Sequence, residues 1–235
     1  MLLRTRFAGT VFAIFAVLAM LVAVACGGDD DTGDTGSGDG GTNGTGVTVD
    51  NKGGQSPTGY RAGHVEPPFN KPDAVLIDTN GQPFDLRAET DGKIVLLYIG
   101  YTNCPDICPL HMADIAETLR SLPPEQAEQI EVVFVTADPE RDTPEVIRKW
   151  LDNFSTDFIG LTGTEEQIAA VHQQLAMPAP QKTDLGNGNY AVSHSAFVFA
   201  YTPDNVAHLV FPSGFKLEDW KHDLEKLTTE GWKES

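Results

Sequence analysis

Two cysteines, Cys104 and Cys108, stand four residues apart in the stretch Y-I-G-Y-T-N-C-P-D-I-C-P-L-H-M, which runs from Tyr98 to Met112. Such a pair can close a disulfide, exchange with another disulfide, or hold a soft metal ion as thiolates. A structural staple fits worst, because a loop of three intervening residues restrains the unfolded chain little. The spacing puts both side chains on one face of a helix, one turn apart, so both sulfurs can point at one ion or meet each other. Amides at a helix N-terminus favour thiolate, so both thiols are expected to have lowered pKa values. A closed zinc site wants four ligands, often as paired C-x-x-C knuckles, and three cysteines in the whole chain provide no second pair. Two thiolates favour Cu(I), and with an imidazole they also accept Cu(II) or zinc.

The elements that would position this pair can be read on either side of it. Ile94 to Ile99 is apolar without alternation and rich in β-branched and aromatic residues, the pattern of a strand buried on both faces. It stops at Gly100, and after the polar turn Tyr101–Asn103 the residues from Cys108 to Ser121 read as a helix. The cysteines therefore sit where a buried strand turns into a helix, the place where ligands collect in open α/β sheets. Before them, Ala74–Ile77 and Gln82–Leu86 form a hairpin around Asn80-Gly81, preceded by a proline-bearing, irregular lead-in over residues 60–73. After them comes a second buried strand, Ile130–Thr136. A helix then opens with Thr143 as N-cap and Pro144 at its first position, and runs to about Phe154. Leu161–Gly163 is a short strand or turn, and a further helix runs from Thr164 to about Ala176. A Gly-bearing loop or hairpin insert covers residues 177–192. Two strands, Ser195–Tyr201 and Val206–Phe211, and a closing helix, Leu217–Thr228, complete the chain. This order is α/β with a mixed sheet, and a cysteine motif at the first strand-to-helix junction predicts a thioredoxin-like fold with an N-terminal hairpin and an insert before the C-terminal hairpin.

A third metal ligand must be a histidine or a methionine. His64, His172 and His222 read as surface residues and His208 as an ordinary strand residue. His111 and Met112 lie one turn past Cys108, with Met112 reading as core. His194 differs. It follows a flexible, glycine-bearing segment and directly precedes a buried strand whose entering loop faces the cysteine turn in a thioredoxin-like sheet, so it is the best distal ligand. Asp138, at the end of the second buried strand, could orient a ligand or move a proton. It could equally cap the following turn, with Arg141 paired to Asp142 or Glu145.

The rest of the chain is not domain. Residues 1–25 carry Arg4 and Arg6 and then an apolar run from Phe7, and Ala23-Val24-Ala25-Cys26 resembles the lipobox of bacterial lipoproteins. The expectation is a cleaved signal with Cys26 lipidated. The alternative is an uncleaved anchor, since about 20 apolar residues span a bilayer. Residues 26–59 are nearly all Gly, Asp, Thr, Ser and Asn, a disordered acidic tether. The net charge of −18 resides mostly on residues 60–235. That domain is a poor nucleic-acid binder and is repelled by anionic lipid, so the anchor must hold it at the outer face of the cell membrane.

Three separated motifs, Y-I-G-Y-T-N-C-P-D-I-C-P, D-P-E-R-D-T-P-E and V-S-H-S-A-F-V-F, together resemble the Sco/SenC family of copper proteins, from about Pro67 to Leu227. The resemblance implies a thioredoxin-like fold and copper, as Cu(I) or Cu(II), on Cys104, Cys108 and His194. It also implies a role in assembling the dinuclear copper centre of cytochrome c oxidase, by delivering copper, by reducing that centre's cysteines, or both. The implied partners are the oxidase subunit carrying that centre, other copper chaperones and thiol reductases. Where the family often has Asp before the histidine, this chain has Ser193. The competing reading is an enzyme: a general extracytoplasmic thiol–disulfide oxidoreductase, or a peroxidase. Thioredoxins use C-x-x-C rather than C-x-x-x-C, pure dithiol chemistry has no need of His194, and no arginine or threonine accompanies the cysteine as peroxidase chemistry would want.

Overall fold

The computed structural model describes residues 48–50 and 58–233. In chain order these form β1 (Thr48–Asp50), β2 (Gly63–Asn70), β3 (Val75–Asp78), β4 (Pro83–Asp85) and β5 (Ile94–Gly100), followed by α1 (Ile107–Ser121), α2 (Pro124–Ala127), β6 (Ile130–Thr136), α3 (Pro144–Leu151), β7 (Ile159–Thr162) and α4 (Glu165–Gln174). The chain continues through β8 (Lys182–Gly186), β9 (Asn189–Val192), β10 (Phe197–Tyr201), β11 (Val206–Pro212) and α5 (Leu217–Glu230).

All seven residues of β5 are buried, which requires neighbouring strands on both edges and a layer on both faces. Both are present. The main sheet runs β1-β2-β11-β10-β5-β6-β7-β3-β4, with β5, β6 and β7 parallel and the flanking strands antiparallel. This is the expected mixed α/β sheet. The N-terminal hairpin is β3–β4, the C-terminal hairpin is β10–β11, and the insert between them is a separate two-stranded hairpin, β8–β9. Helix α1 packs against α5, which buries Trp220, Leu224 and Leu227. Trp220 stacks on Phe211 of the sheet at 3.9 Å.

Helices α3 and α4 are both capped at their first turn. Thr143 accepts a bond from the Val146 amide, with Pro144 at the first turn of α3, and Thr164 and Gln167 complete a capping box on α4. Other elements differ from those expected. The lead-in contains a full strand, β2, paired with β11. Pro67 and Pro68 argued against a strand, but they fall beside the register shift between Ala207 and Leu209, where no amide is asked to donate to the ladder. Thr48–Asp50, counted as tether, pairs antiparallel with β2. Helix α3 ends at Leu151 and not at Phe154. The signal segment and Cys26 lie outside the described residues.

Candidate metal centre

β5 delivers the chain to the top of the sheet at Gly100, and the turn that follows is tied back at both ends. Ala137 donates to the Gly100 carbonyl at 2.6 Å and Cys104 to the Tyr101 carbonyl at 3.1 Å. Asp142 does most of the bracing. Fully buried, it accepts bonds from the Thr102 amide (2.9 Å), the Thr102 hydroxyl (2.6 Å) and the Thr136 hydroxyl (2.7 Å). One carboxylate thus joins the cysteine turn to the end of β6. Burial raises its pKa against the pull of those hydroxyls. The sequence reading saw Asp142 only as a partner for Arg141. The available signal was its position in a Pro-flanked turn, four residues past Asp138.

The two cysteines are not equivalent, contrary to the expectation of one shared helical face. α1 starts at Ile107, so Cys104 lies ahead of the helix and only Cys108 is within it. Cys108 belongs to the buried stripe Cys108, His111, Met112, Ile115, Ala116, spaced three and four apart as a helix face requires. This opposes their electrostatics. A hydrogen bond from the Cys108 thiol is the main cause that brings the Cys104 pKa down to about 5, with the amides of Asp106 and Cys108 adding to it against some desolvation. Asp106 caps nothing with its side chain, and the sulfur of Cys104 takes those helix-end amides instead. Burial pushes the Cys108 thiol far up, and the Cys104 thiolate pushes it further. The Tyr98 hydroxyl, donating to Cys108 Sγ at 3.3 Å, works in the other direction. Tyr98 read in the sequence as one more apolar strand residue.

At neutral pH, then, the pair shares one proton: Cys104 carries the thiolate and Cys108 the thiol. Iodoacetamide is expected to modify Cys104 first, at a rate that holds down to about pH 6 and falls only toward pH 5. An ordinary thiol of pKa about 8.5 loses about tenfold per unit over that range. Peptide mapping checks the order, and modification of Cys108 first would overturn it.

His194 completes the group. Its Nδ1 lies 2.8 Å from the carbonyl of Ser195, which can only accept, so in the neutral, metal-binding form of the ring Nδ1 carries the proton and Nε2 the lone pair. Nε2 stands 3.6 Å from Cys104 Sγ and 3.7 Å from Cys108 Sγ. The three ligand atoms lie within 4.8 Å of one another and are the one such cluster among the described residues. Bonds of about 2.3 Å to sulfur and 2.0 Å to nitrogen, opened to about 120°, place their ends about 3.7 Å apart. The two sulfur–nitrogen separations match that span, so two soft sulfurs and one neutral imidazole fit a single copper ion. Tyr101 walls the group with its ring edge-on to His194 at 5.3 Å.

The other sequence candidates are placed elsewhere. His111 is buried along α1 outside the cluster, and Met112 is buried on the same helix face. His111 packs on Tyr98 at 4.8 Å, and burial pushes its pKa down to about 4. His172, read as a surface residue, is 1% exposed and bonds to the Pro178 carbonyl at 2.8 Å. His64 and His208 pack against Trp232. His222 bonds to Asp223. Asp138 is fully buried and touches none of the three ligand residues. It is paired with Arg141 and receives the Tyr190 hydroxyl at 3.0 Å. Arg141 was expected to pair with Asp142 or Glu145, and pairs with Asp138 instead. Ser193 is exposed and bonds to the Gln181 amide.

The profile of the SCO1/SenC family matches residues 62–229. A protein of Stutzerimonas stutzeri described as copper-binding is 38% identical over 156 residues, covering 66% of this chain and 76% of that one. The solution structure of apo Sco1 from Thermus thermophilus superposes with a TM-score of 0.64 at 30% identity, over 73% of this chain and 99% of the other. Bradyrhizobium japonicum ScoI with copper bound gives a TM-score of 0.57 at 31% identity, over 68% and 96%.

Proposed function

Because the chain belongs to the SCO1/SenC family, we propose that it is a copper-binding assembly factor in which Cys104, Cys108 and His194 hold the ion, and that it serves the dinuclear copper centre of cytochrome c oxidase. The observation that carries this reading is the convergence of two sulfurs and one unprotonated imidazole nitrogen on a single point at the end of β5. Copper is the cargo. A site with one ligand in a turn ahead of a helix, one in the helix and one entering from a separate loop can open by moving His194 alone. The implied partners are the oxidase subunit bearing that centre, together with the copper chaperones or thiol reductases that load and reset the site.

The thiol asymmetry supports a second activity at the same atoms, reduction of the target's cysteines. The Cys104 thiolate would attack a disulfide sulfur in the partner and release one partner thiolate. Cys108, giving up its proton, would then displace the second. The products are a Cys104–Cys108 disulfide and a partner dithiol, a two-electron exchange.

The deciding experiment adds Cu(I) anaerobically to the reduced protein, to its oxidised form and to His194→Ala, in competition with a chelator. The reduced protein is expected to bind one copper. His194→Ala should bind roughly a hundredfold more weakly while still exchanging disulfides, and the oxidised form should bind none, since a disulfide has no thiolate to offer. Copper bound equally well by His194→Ala, with exchange intact, would leave only the oxidoreductase reading.

The domain acts at the outer membrane surface in this proposal, held by lipid on Cys26 and spaced from it by residues 26–59, of which Thr48–Asp50 already joins the sheet. No helix among the described residues is long and apolar enough to cross a membrane. Cys26→Ser is expected to move the protein from the membrane to the soluble fraction; retention at the membrane would favour an uncleaved anchor.

A further inference from the structure

The third ligand, His194, arrives on a segment that the main sheet does not hold. The β8–β9 hairpin just before it forms its own two-stranded sheet, and β8 is exposed along its whole length. Its ion pairs, Lys182 to Glu140 and Glu165, are solvent-exposed at both ends, where water and salt screen them and they hold little. Something else must fix the hairpin against the body.

Two residues of β9 make that contact: Val192, buried in the core, and Tyr190. Asp138, fully buried at the end of β6, receives the Tyr190 hydroxyl on one oxygen and the Arg141 guanidinium on the other. The Arg141 guanidinium carbon lies 3.6 Å from the centre of the Tyr190 ring and 5.8 Å from that of Tyr101. Its Nη2 is buried with no hydrogen-bond acceptor, so the ring faces are the contact that end of the side chain has. Tyr101 in turn meets His194 edge-on. A planar cation seated on one ring and neutralised by one buried carboxylate therefore links the body of the sheet, the hairpin and the wall of the metal site.

We infer that Asp138, Arg141 and Tyr190 form a clamp that docks the β8–β9 hairpin and thereby positions His194 over the two sulfurs, so that release of the clamp withdraws the imidazole and leaves the cysteine pair in place. This rests on the copper reading above for its effect on metal affinity, but not for its effect on the hairpin. None of the three touches a ligand atom, and they are positioning residues.

The test uses Arg141→Lys and Tyr190→Phe. Lysine keeps a cation beside the buried Asp138, so the fold is retained, but it has no planar face to lie on Tyr190. Phenylalanine keeps the ring and removes its bond to Asp138. Amide hydrogen exchange is measured on the reduced, metal-free proteins, and Cu(I) affinity by competition. Exchange across residues 182–194 is expected to quicken by about tenfold or more in Arg141→Lys, with β5 and β6 unchanged. Copper affinity should fall by about 10- to 100-fold, and Arg141→Lys/His194→Ala should bind no more weakly than His194→Ala alone, because both act on one ligand. Cys104 alkylation stays as in wild type. Unchanged hairpin exchange in both variants overturns the clamp, as does a double variant whose losses add. If wild-type protein takes up no copper, the copper reading fails, and hairpin exchange alone then decides the clamp.

Discussion

Replacing either cysteine by serine is expected to lower copper affinity by about two to three orders of magnitude. Structural zinc sites with four ligands are worth about 10–16 kcal/mol at neutral pH, so each ligand carries about 2.5–4 kcal/mol. Copper on a three-ligand site has at least as much to lose from a missing thiolate. The two variants should nevertheless differ in a second measurement. In Cys108→Ser, the Cys104 sulfur keeps the helix-end amides of Asp106 and residue 108, and a serine hydroxyl can replace the thiol donor. Its thiolate should remain reactive near neutral pH. In Cys104→Ser the remaining sulfur is the fully buried one, whose pKa burial raises, so it should resist alkylation as well as copper. Chelator competition and alkylation on the same two samples test this. A single-cysteine variant that holds copper as tightly as wild type would sink the assignment of both sulfurs.

The second large effect is expected from a residue with no functional group. A Cβ at Gly100 would lie 2.8 Å from Cys108 Sγ, 2.8 Å from Tyr98 Cε1 and 3.2 Å from Phe134 Cε2. Tyr98, Phe134 and Cys108 are all completely buried, so none can swing out to solvent and the crowding is relieved only by shifting the sulfur together with the rings. Gly100→Ala should therefore cost about 1–3 kcal/mol by overpacking, lower the Tm by several degrees (about 2–4 °C per kcal/mol for a domain of this size), and displace a copper ligand. Gly160→Ala is the matched control. Its Cβ would crowd Ile147 Cγ2, and Leu151 Cδ1 at 2.8 Å, between β7 and α3, with no sulfur among its nearest atoms. Both variants should melt earlier, and only Gly100→Ala should lose copper affinity and change thiol reactivity while still folded. Equal losses of affinity in the two would mean that general destabilisation, and not the contact with Cys108, governs the site.

Much of this molecule is local in origin, and that part was legible in the amino-acid sequence. The uninterrupted apolar run of β5 announces a strand with neighbours on both sides. The Thr-Pro-Glu opening of α3 announces its helix, because a cap is satisfied by residues three positions away. The third ligand was legible too. A histidine directly ahead of a buried strand has its location set by the strand, and here the strand is β10, next to β5. β2 was missed because its two prolines violate a local rule that only the bulged pairing with β11 excuses.

What the spacing of Cys104 and Cys108 could not decide is the character of each sulfur. Four residues apart on a helix, they looked alike. The tertiary structure starts the helix at Ile107, turns Cys108 into the core beneath Gly100 and Tyr98, and leaves Cys104 facing the helix-end amides and His194. Protonation follows desolvation and the nearest donors, and those come from residues far along the chain as often as from neighbours. The sequence by itself determined which atoms form the centre. Only the fold determined which of them is the thiolate, which is the thiol, and what holds the imidazole in reach of both.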